Sequence, residues 1–150
     1  MKSKLLLINI FVLLLSGSVS FAQEIKWYNW DEGYEKAKKE KKVILLDAFT
    51  DWCYWCKVMD QNTYSDEDIV KKVKKDFVAI KLNPEKELNY TFMDNKYSGR
   101  ELIVKLSEDK FRGYPTTFFV NPNTGTSVMV VGYLEVAEFS PVLDTNKSLQ

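Results

Sequence analysis

The chain contains no histidine, only two cysteines and only two arginines. The missing histidine removes every Ser-His-Asp or Cys-His nucleophile pair and every histidine-containing metal site. Proton transfer near neutral pH then falls to a carboxylate, a lysine or a thiol with a shifted pKa. Arg100 and Arg112 are too few to form a phosphate-reading surface. The 21 basic residues balance 21 acidic ones, so no charge excess points to nucleic acid. No repeat, low-complexity segment or internal linker divides the 150 residues, and no flavin or nicotinamide fingerprint is present. With 45% hydrophobic residues, the chain suits one domain with its own core.

The N-terminus, "MKSKLLLINIFVLLLSGSVSFAQE", has the three parts of a secretory signal. Lys2 and Lys4 precede an apolar stretch from Leu5 to Leu15, broken by Asn9. Small residues, Ser20 and Ala22, stand before Gln23. A signal peptide over residues 1–22, cleaved near Ala22, is expected, with an uncleaved anchor as the alternative. The apolar stretch is short for a bilayer span of ~20 residues. Cleavage takes the basic count from 21 to 19 against 21 acidic residues. The single domain of residues 23–150 is then expected in the periplasm or secreted, where disulfides persist.

Along that domain, Asp31 is placed to cap a helix through about Lys41, with acids first and lysines last. "VILLDAF", Val43 to Phe49, reads as a strand buried on both faces. "CKVMDQNTY" fits a helix, and "SDEDIVKKVKK" fits a second one capped by Asp66. "FVAIKLN", Phe77 to Asn83, is another buried strand. Residues 87–99 read as an inserted loop. "RELIVKLSEDK" is helical, "YPTTFFVNPNTGTSVMVVGY" is strand-turn-strand, and Glu135 to Leu143 is a last helix disturbed by Pro141. The order predicts an α/β domain with a central mixed sheet flanked by helices.

Both cysteines lie in "FTDWCYWCKVMD". They could be a structural staple, a metal clip or a redox couple. A disulfide closing so short a loop constrains the unfolded chain little. Two thiolates without histidine do not complete a four-ligand metal site. A Cys53 that starts a helix faces unpaired backbone N–H groups and the positive end of the dipole, which favour its thiolate. Cys56, one turn further in, can then resolve the mixed disulfide that Cys53 forms with a substrate. A buried Cys56 needs a proton acceptor. Asp47, a lone carboxylate inside an apolar strand, is the candidate, and Lys81, a lone charge in the neighbouring strand, can pair with it. The alternative is a strand-end Asp47 facing water and a Lys81 reaching out to solvent.

"DAFTDWCYWCK" resembles the active-site stretch of the thioredoxin superfamily, with Trp52 before the first cysteine, Lys57 after the second and Asp47 six residues upstream. "AIKLN" resembles the strand that carries the family's buried lysine, here Lys81. "GYPT" resembles the cis-proline segment and "VVGY" the strand end with the groove glycine. Ile25 to Leu143 follows the family's order. Within the superfamily the chain is similar to small exported domains, the thioredoxin-like 7 group and the C-terminal domain of DsbD-type reductant conductors. The resemblance implies a thioredoxin fold, a cis Pro115 and a shallow peptide groove formed by the Tyr114 backbone, Pro115, Gly132, Trp52, Tyr54 and Trp55. It departs at Tyr54-Trp55, which is neither Gly-Pro nor Pro-His, and in the longer stretch at 87–99. The expected function is that of an exported thiol-disulfide oxidoreductase: reduction of protein disulfides by a monomer whose only cofactor is its Cys53–Cys56 pair, recharged by a membrane thiol donor. A non-catalytic binding or chaperone module, or an oxidase or isomerase, is the alternative.

Overall fold

The computed structural model describes residues 24–86 and 88–149; the expected signal peptide lies outside them. The chain runs α1 (Trp30–Glu40), β1 (Val43–Ala48), α2 (Tyr54–Asn62), α3 (Glu67–Asp76), β2 (Phe77–Leu82), β3 (Asn89–Phe92), β4 (Asn95–Ser98), α4 (Gly99–Ser107), β5 (Thr116–Val120), β6 (Ser127–Val131) and α5 (Val136–Asn146). The main sheet has the order β2-β1-β5-β6, and β3 and β4 form a separate hairpin. β1 is parallel to β2 and antiparallel to β5, and every one of its residues is buried. A strand covered on both faces needs an unbroken apolar run, which "VILLDA" supplies except at Asp47.

One core lies on the face covered by α1 and α4, with Trp30, Ala37, Leu102 and Phe118 fully buried. The other lies under α2, α3 and α5, with Met59, Ile69, Phe119 and Phe139. The expected mixed sheet flanked by helices is present. The first helix starts earlier than the acids indicate: Asn29, not Asp31, is its cap, and its side chain accepts from Glu32 N–H at 2.9 Å. Asp31 and Glu32 instead sit in the first turn. Asn29→Ala should cost about 1 kcal/mol, read from urea denaturation.

The stretch expected as a loop is an ordered hairpin over its described part. Strands β3 and β4 pair from Asn89↔Ser98 to Phe92↔Asn95 through a turn in which Met93 and Asp94 have positive φ. β3 alternates exposed and buried residues, but over only four positions, too few for the pattern to mark a strand. Tyr90 and Phe92 point into the core beside Trp30, whose indole donates to the Thr91 carbonyl at 2.9 Å. The hairpin leads into α4 at Gly99. A Cβ there would lie 2.6 Å from the Pro84 backbone, so the two ends of the insertion meet at a position open to glycine. Pro141 lies inside α5 without ending it, because Phe139 and Leu143 anchor the helix in the core.

Candidate active site: a disulfide on a helix cap

β1 ends at Ala48, and a turn, Phe49 to Trp52, carries the chain to Cys53, the N-cap of α2. Cys53 and Cys56 are joined as a disulfide, with Cα atoms 5.4 Å apart. The Cys56 backbone N–H donates to Cys53 Sγ at 3.1 Å. The Cys53 sulfur thus takes the place that a serine or aspartate oxygen takes in an ordinary cap, where donors and the helix dipole favour negative charge. Both cysteines are only 4% exposed. Exposure does not distinguish them; their position on the helix does.

The turn before Cys53 is tied to the loop after β2. Asn83 Nδ2 and Lys86 Nζ donate to Asp51 at 3.2 and 2.8 Å, and Trp52 Nε1 donates to Glu85 at 3.0 Å. Glu85 was not among the residues expected from the sequence; its role depends on β2 ending beside β1, which no local pattern shows. Trp52, Tyr54 and Trp55 are all more than half exposed. The Trp52 ring meets Tyr114 edge-on at 5.9 Å, and Trp55 lies 5.5 Å from Tyr133. The Tyr114–Pro115 bond is cis. Gly132, at φ 97°, donates its N–H to the Pro115 carbonyl at 2.9 Å. No atom lies within 4 Å of where a Cβ would stand at Gly132 or at Gly113, which has φ 142°. The two glycines keep open space on both sides of the cis-proline segment. Gly113 and Tyr133 add to the expected groove residues.

Beneath the helix, Asp47 is 1% exposed and lies opposite Lys81 in the β1–β2 register. Lys81 Nζ is 3.2 Å from Asp47 Oδ2, a charge contact that is not an aligned hydrogen bond, and neither carboxylate oxygen of Asp47 has a hydrogen-bond donor. Lys81 is instead held by Asp60, with Nζ 2.5 and 2.6 Å from its two oxygens. The lysine also lies over the rings of Trp27 and Phe49. It does not reach out to solvent as a snorkelling side chain. Burial pushes the Asp47 carboxyl up to about 6, against the opposing charge of Lys81 and with a further rise from Asp60. The Tyr64 hydroxyl shares a hydrogen bond with Thr117 at 3.1 Å, and burial together with the Asp47 charge holds its phenol well above the usual range.

Asp60 was missed in the sequence. The available signal was its spacing: four residues after Cys56, it shares a face of α2 with that cysteine. Lys81 therefore bridges the helix face carrying Cys56 to the strand carrying Asp47. Because Asp60 raises the Asp47 pKa, Asp60→Asn should move the Asp47 titration below about 6, as followed by carboxyl-carbon NMR. An unmoved midpoint would show that the two carboxylates are uncoupled. Among the described residues, no group of three or more His, Cys, Asp or Glu side chains could hold a metal ion.

A family profile named Thioredox_DsbH, described as "Protein of unknown function, DUF255", matches residues 18–147. The chain belongs to the Thioredox_DsbH family. This Thioredox_DsbH chain is 29% identical over 105 residues to spermatogenesis-associated protein 20 of Homo sapiens, an alignment covering 66% of the chain and 12% of that protein. It is 29% identical over 117 residues to the thiol:disulfide interchange protein DsbD of Pasteurella multocida, covering 76% of the chain and 18% of DsbD. The chain thus spans less than a fifth of either relative. The solution structure of a thioredoxin from Thermus thermophilus superposes with a TM-score of 0.64 at 20% identity, over 81% of this chain and 86% of that one. The fold is the thioredoxin fold, and the Cys53–Cys56 pair stands on it at the start of α2. Among the described residues, no helix is long and apolar enough to cross a membrane.

Proposed function

We propose that this domain is an exported thiol-disulfide oxidoreductase that reduces protein disulfides through Cys53 and Cys56. The observation that carries the reading is the Cys53 sulfur at the N-cap of α2, accepting the Cys56 N–H. In the reduced protein the Cys53 thiolate attacks one sulfur of a substrate disulfide. A mixed disulfide forms and the other substrate sulfur leaves as a thiolate. Asp47 takes the Cys56 proton, with Lys81 positioning the carboxylate, and the Cys56 thiolate then attacks Cys53. The Cys53–Cys56 disulfide forms, and the substrate departs with two electrons and two thiols. A membrane thiol donor outside this chain returns the electrons.

Substrate backbone lies along the Tyr114–Pro115 segment as an added strand. Trp52, Tyr54 and Trp55 supply the apolar ledge, and Gly132 leaves room for close approach. The domain acts as a monomer, outside the cytosol after cleavage near Ala22. The similarity to DsbD, a thiol:disulfide interchange protein by name, supports the chemistry. A buried carboxylate able to accept a proton supports the reducing direction.

The reading is tested by equilibrating the protein with glutathione buffers and measuring the potential of the pair. A value near ~−270 mV is expected, and one near ~−120 mV would make the domain an oxidant. The exposed aromatic ledge also favours a second reading, a binding module that leaves its disulfide closed. That module would keep its partner in a Cys53→Ser variant, whereas a reductase would lose all turnover.

A further inference from the structure

We infer that Thr50 is a hydrogen-bond donor held in reserve for the Cys53 sulfur, engaging it only when the disulfide is reduced. Thr50 lies in the turn between β1 and α2, is 1% exposed, and its hydroxyl has no hydrogen-bond partner. The other buried threonines are satisfied. Thr63 donates to the Leu134 carbonyl at 2.7 Å, Thr116 donates to the Gly113 carbonyl at 2.6 Å, and Thr117 shares a bond with Tyr64 at 3.1 Å. Leaving a buried hydroxyl unpaired is costly. An orphan beside a redox pair points to an acceptor that exists in the pair's other state.

The backbone sets Thr50 between the disulfide and the cis-proline segment. Its carbonyl accepts the Cys53 N–H at 3.1 Å. β1 pairs with β5 up to Ala48↔Thr116, so continuing that register by two residues brings Thr50 level with Tyr114, whose bond to Pro115 is cis. Alternation along β1 separates Thr50 from the Asp47 carboxylate. Ile44, Leu46 and Ala48 face the core under α1 and α4, and Val43 and Leu45 face the other core. Asp47 follows the odd set and Thr50 the even one. The other orphan hydroxyl, Ser127, pairs with Val120 at the far end of β5 from the disulfide.

A disulfide sulfur is a weak acceptor. Reduction by a dithiol adds two electrons and breaks the S–S bond. With one proton taken up at Cys56, Cys53 is left as a thiolate. An anionic sulfur accepts hydrogen bonds far more strongly. The Cys56 N–H already meets the Cys53 sulfur at 3.1 Å, and the Thr50 hydroxyl adds a second donor. The hydroxyl is therefore unpaired in the oxidised protein and paired in the reduced one, which favours reduction and lowers the Cys53 pKa. The neighbouring charges also act on this thiolate. They are Asp47 with its partners Lys81 and Asp60, Asp51 and Lys57 beside the cysteines in sequence, Glu85 and Lys86 in the facing loop, and Arg112 before the cis-proline. All of them remain when Thr50 is changed.

The inference rests on the redox reading of the pair and is tested apart from turnover. Alkylation of the reduced protein by iodoacetamide is followed against pH, with the modified cysteine located by tandem mass spectrometry. A hydrogen bond to a charged group is worth about tenfold in its ionisation. Thr50→Val should therefore raise the Cys53 midpoint by about one pH unit. It should also disfavour reduction in glutathione buffers about tenfold, a potential ~30 mV more negative. Thr50→Ala should shift both as far, and Thr50→Ser, which keeps the hydroxyl, should stay within twofold of wild type. Circular dichroism should show all three variants folded. An unmoved midpoint without the hydroxyl, an equal shift in Thr50→Ser, or a shift at Cys56 alone would overturn the inference. Insulin turnover decides the reductase reading separately. A domain without turnover whose Cys53 midpoint still depends on the Thr50 hydroxyl loses that reading and keeps this one.

Discussion

A Cys56→Ser protein should accumulate as covalent complexes with its substrates, and a Cys53→Ser protein should not. Cys53 is the sulfur at the helix cap, where the Cys56 N–H and the dipole of α2 stabilise negative charge. It can begin exchange without its partner. Without Cys56, no intramolecular thiolate remains to release the mixed disulfide, so the reaction stops half-way. Turnover in an insulin-reduction assay should fall to the uncatalysed rate in both variants. Only Cys56→Ser should show extra bands on a non-reducing gel that collapse with reductant. Trapping by Cys53→Ser instead would reverse the assigned order of attack. Trapping by neither variant would favour the binding module.

Asp47→Asn should make the oxidised protein more stable and the enzyme slower. A carboxyl whose native pKa is raised from 3.8 to about 6 binds its proton more tightly folded than unfolded. Its favourable contribution is complete below about pH 3.8 and is lost as pH rises through about 6. At pH 8 the wild-type protein holds a buried charge whose oxygens have no hydrogen-bond donor, a cost of about 3 kcal/mol. Asparagine removes that charge, while Lys81 keeps Asp60 as its partner. The variant should gain on that order in urea denaturation at pH 8 and nothing near pH 3.5. The same change removes the proton acceptor proposed for Cys56, so resolution should slow by about 10²-fold and lose its inflection near pH 6. A stability gain with an unchanged rate would take Asp47 out of the mechanism and leave it as a buried charge alone.

The parts of this molecule legible in its sequence are those where local pattern and burial agree. "VILLDAF" and "FVAIKLN" could be read as central strands because both faces are covered, and a single charge in each stands out against the apolar run. The less legible parts depend on contacts between distant segments. Asp60 resembles any exposed helix carboxylate until β2 brings Lys81 beneath it. Glu85 resembles a loop acid until its loop meets Trp52. The hairpin at Asn89–Ser98 resembles a polar loop because only Tyr90 and Phe92 face inward, toward a tryptophan some sixty positions earlier in the chain. Asp31 and Asn29 both fit a helix cap, and geometry alone chose between them.

The hydrogen bond from Trp52 to Glu85 bears on the speed and selectivity of recognition. Trp52 is 67% exposed, yet its indole N–H is already engaged and its edge already rests against Tyr114. An unrestrained side chain of this size would lose about 0.5–1.5 kcal/mol of rotational freedom when a partner immobilised it. Here that ordering precedes the encounter. In the proposed groove, an incoming peptide would meet a flat apolar wall whose orientation is set, and a partner of the wrong shape would gain little by waiting for the wall to adapt.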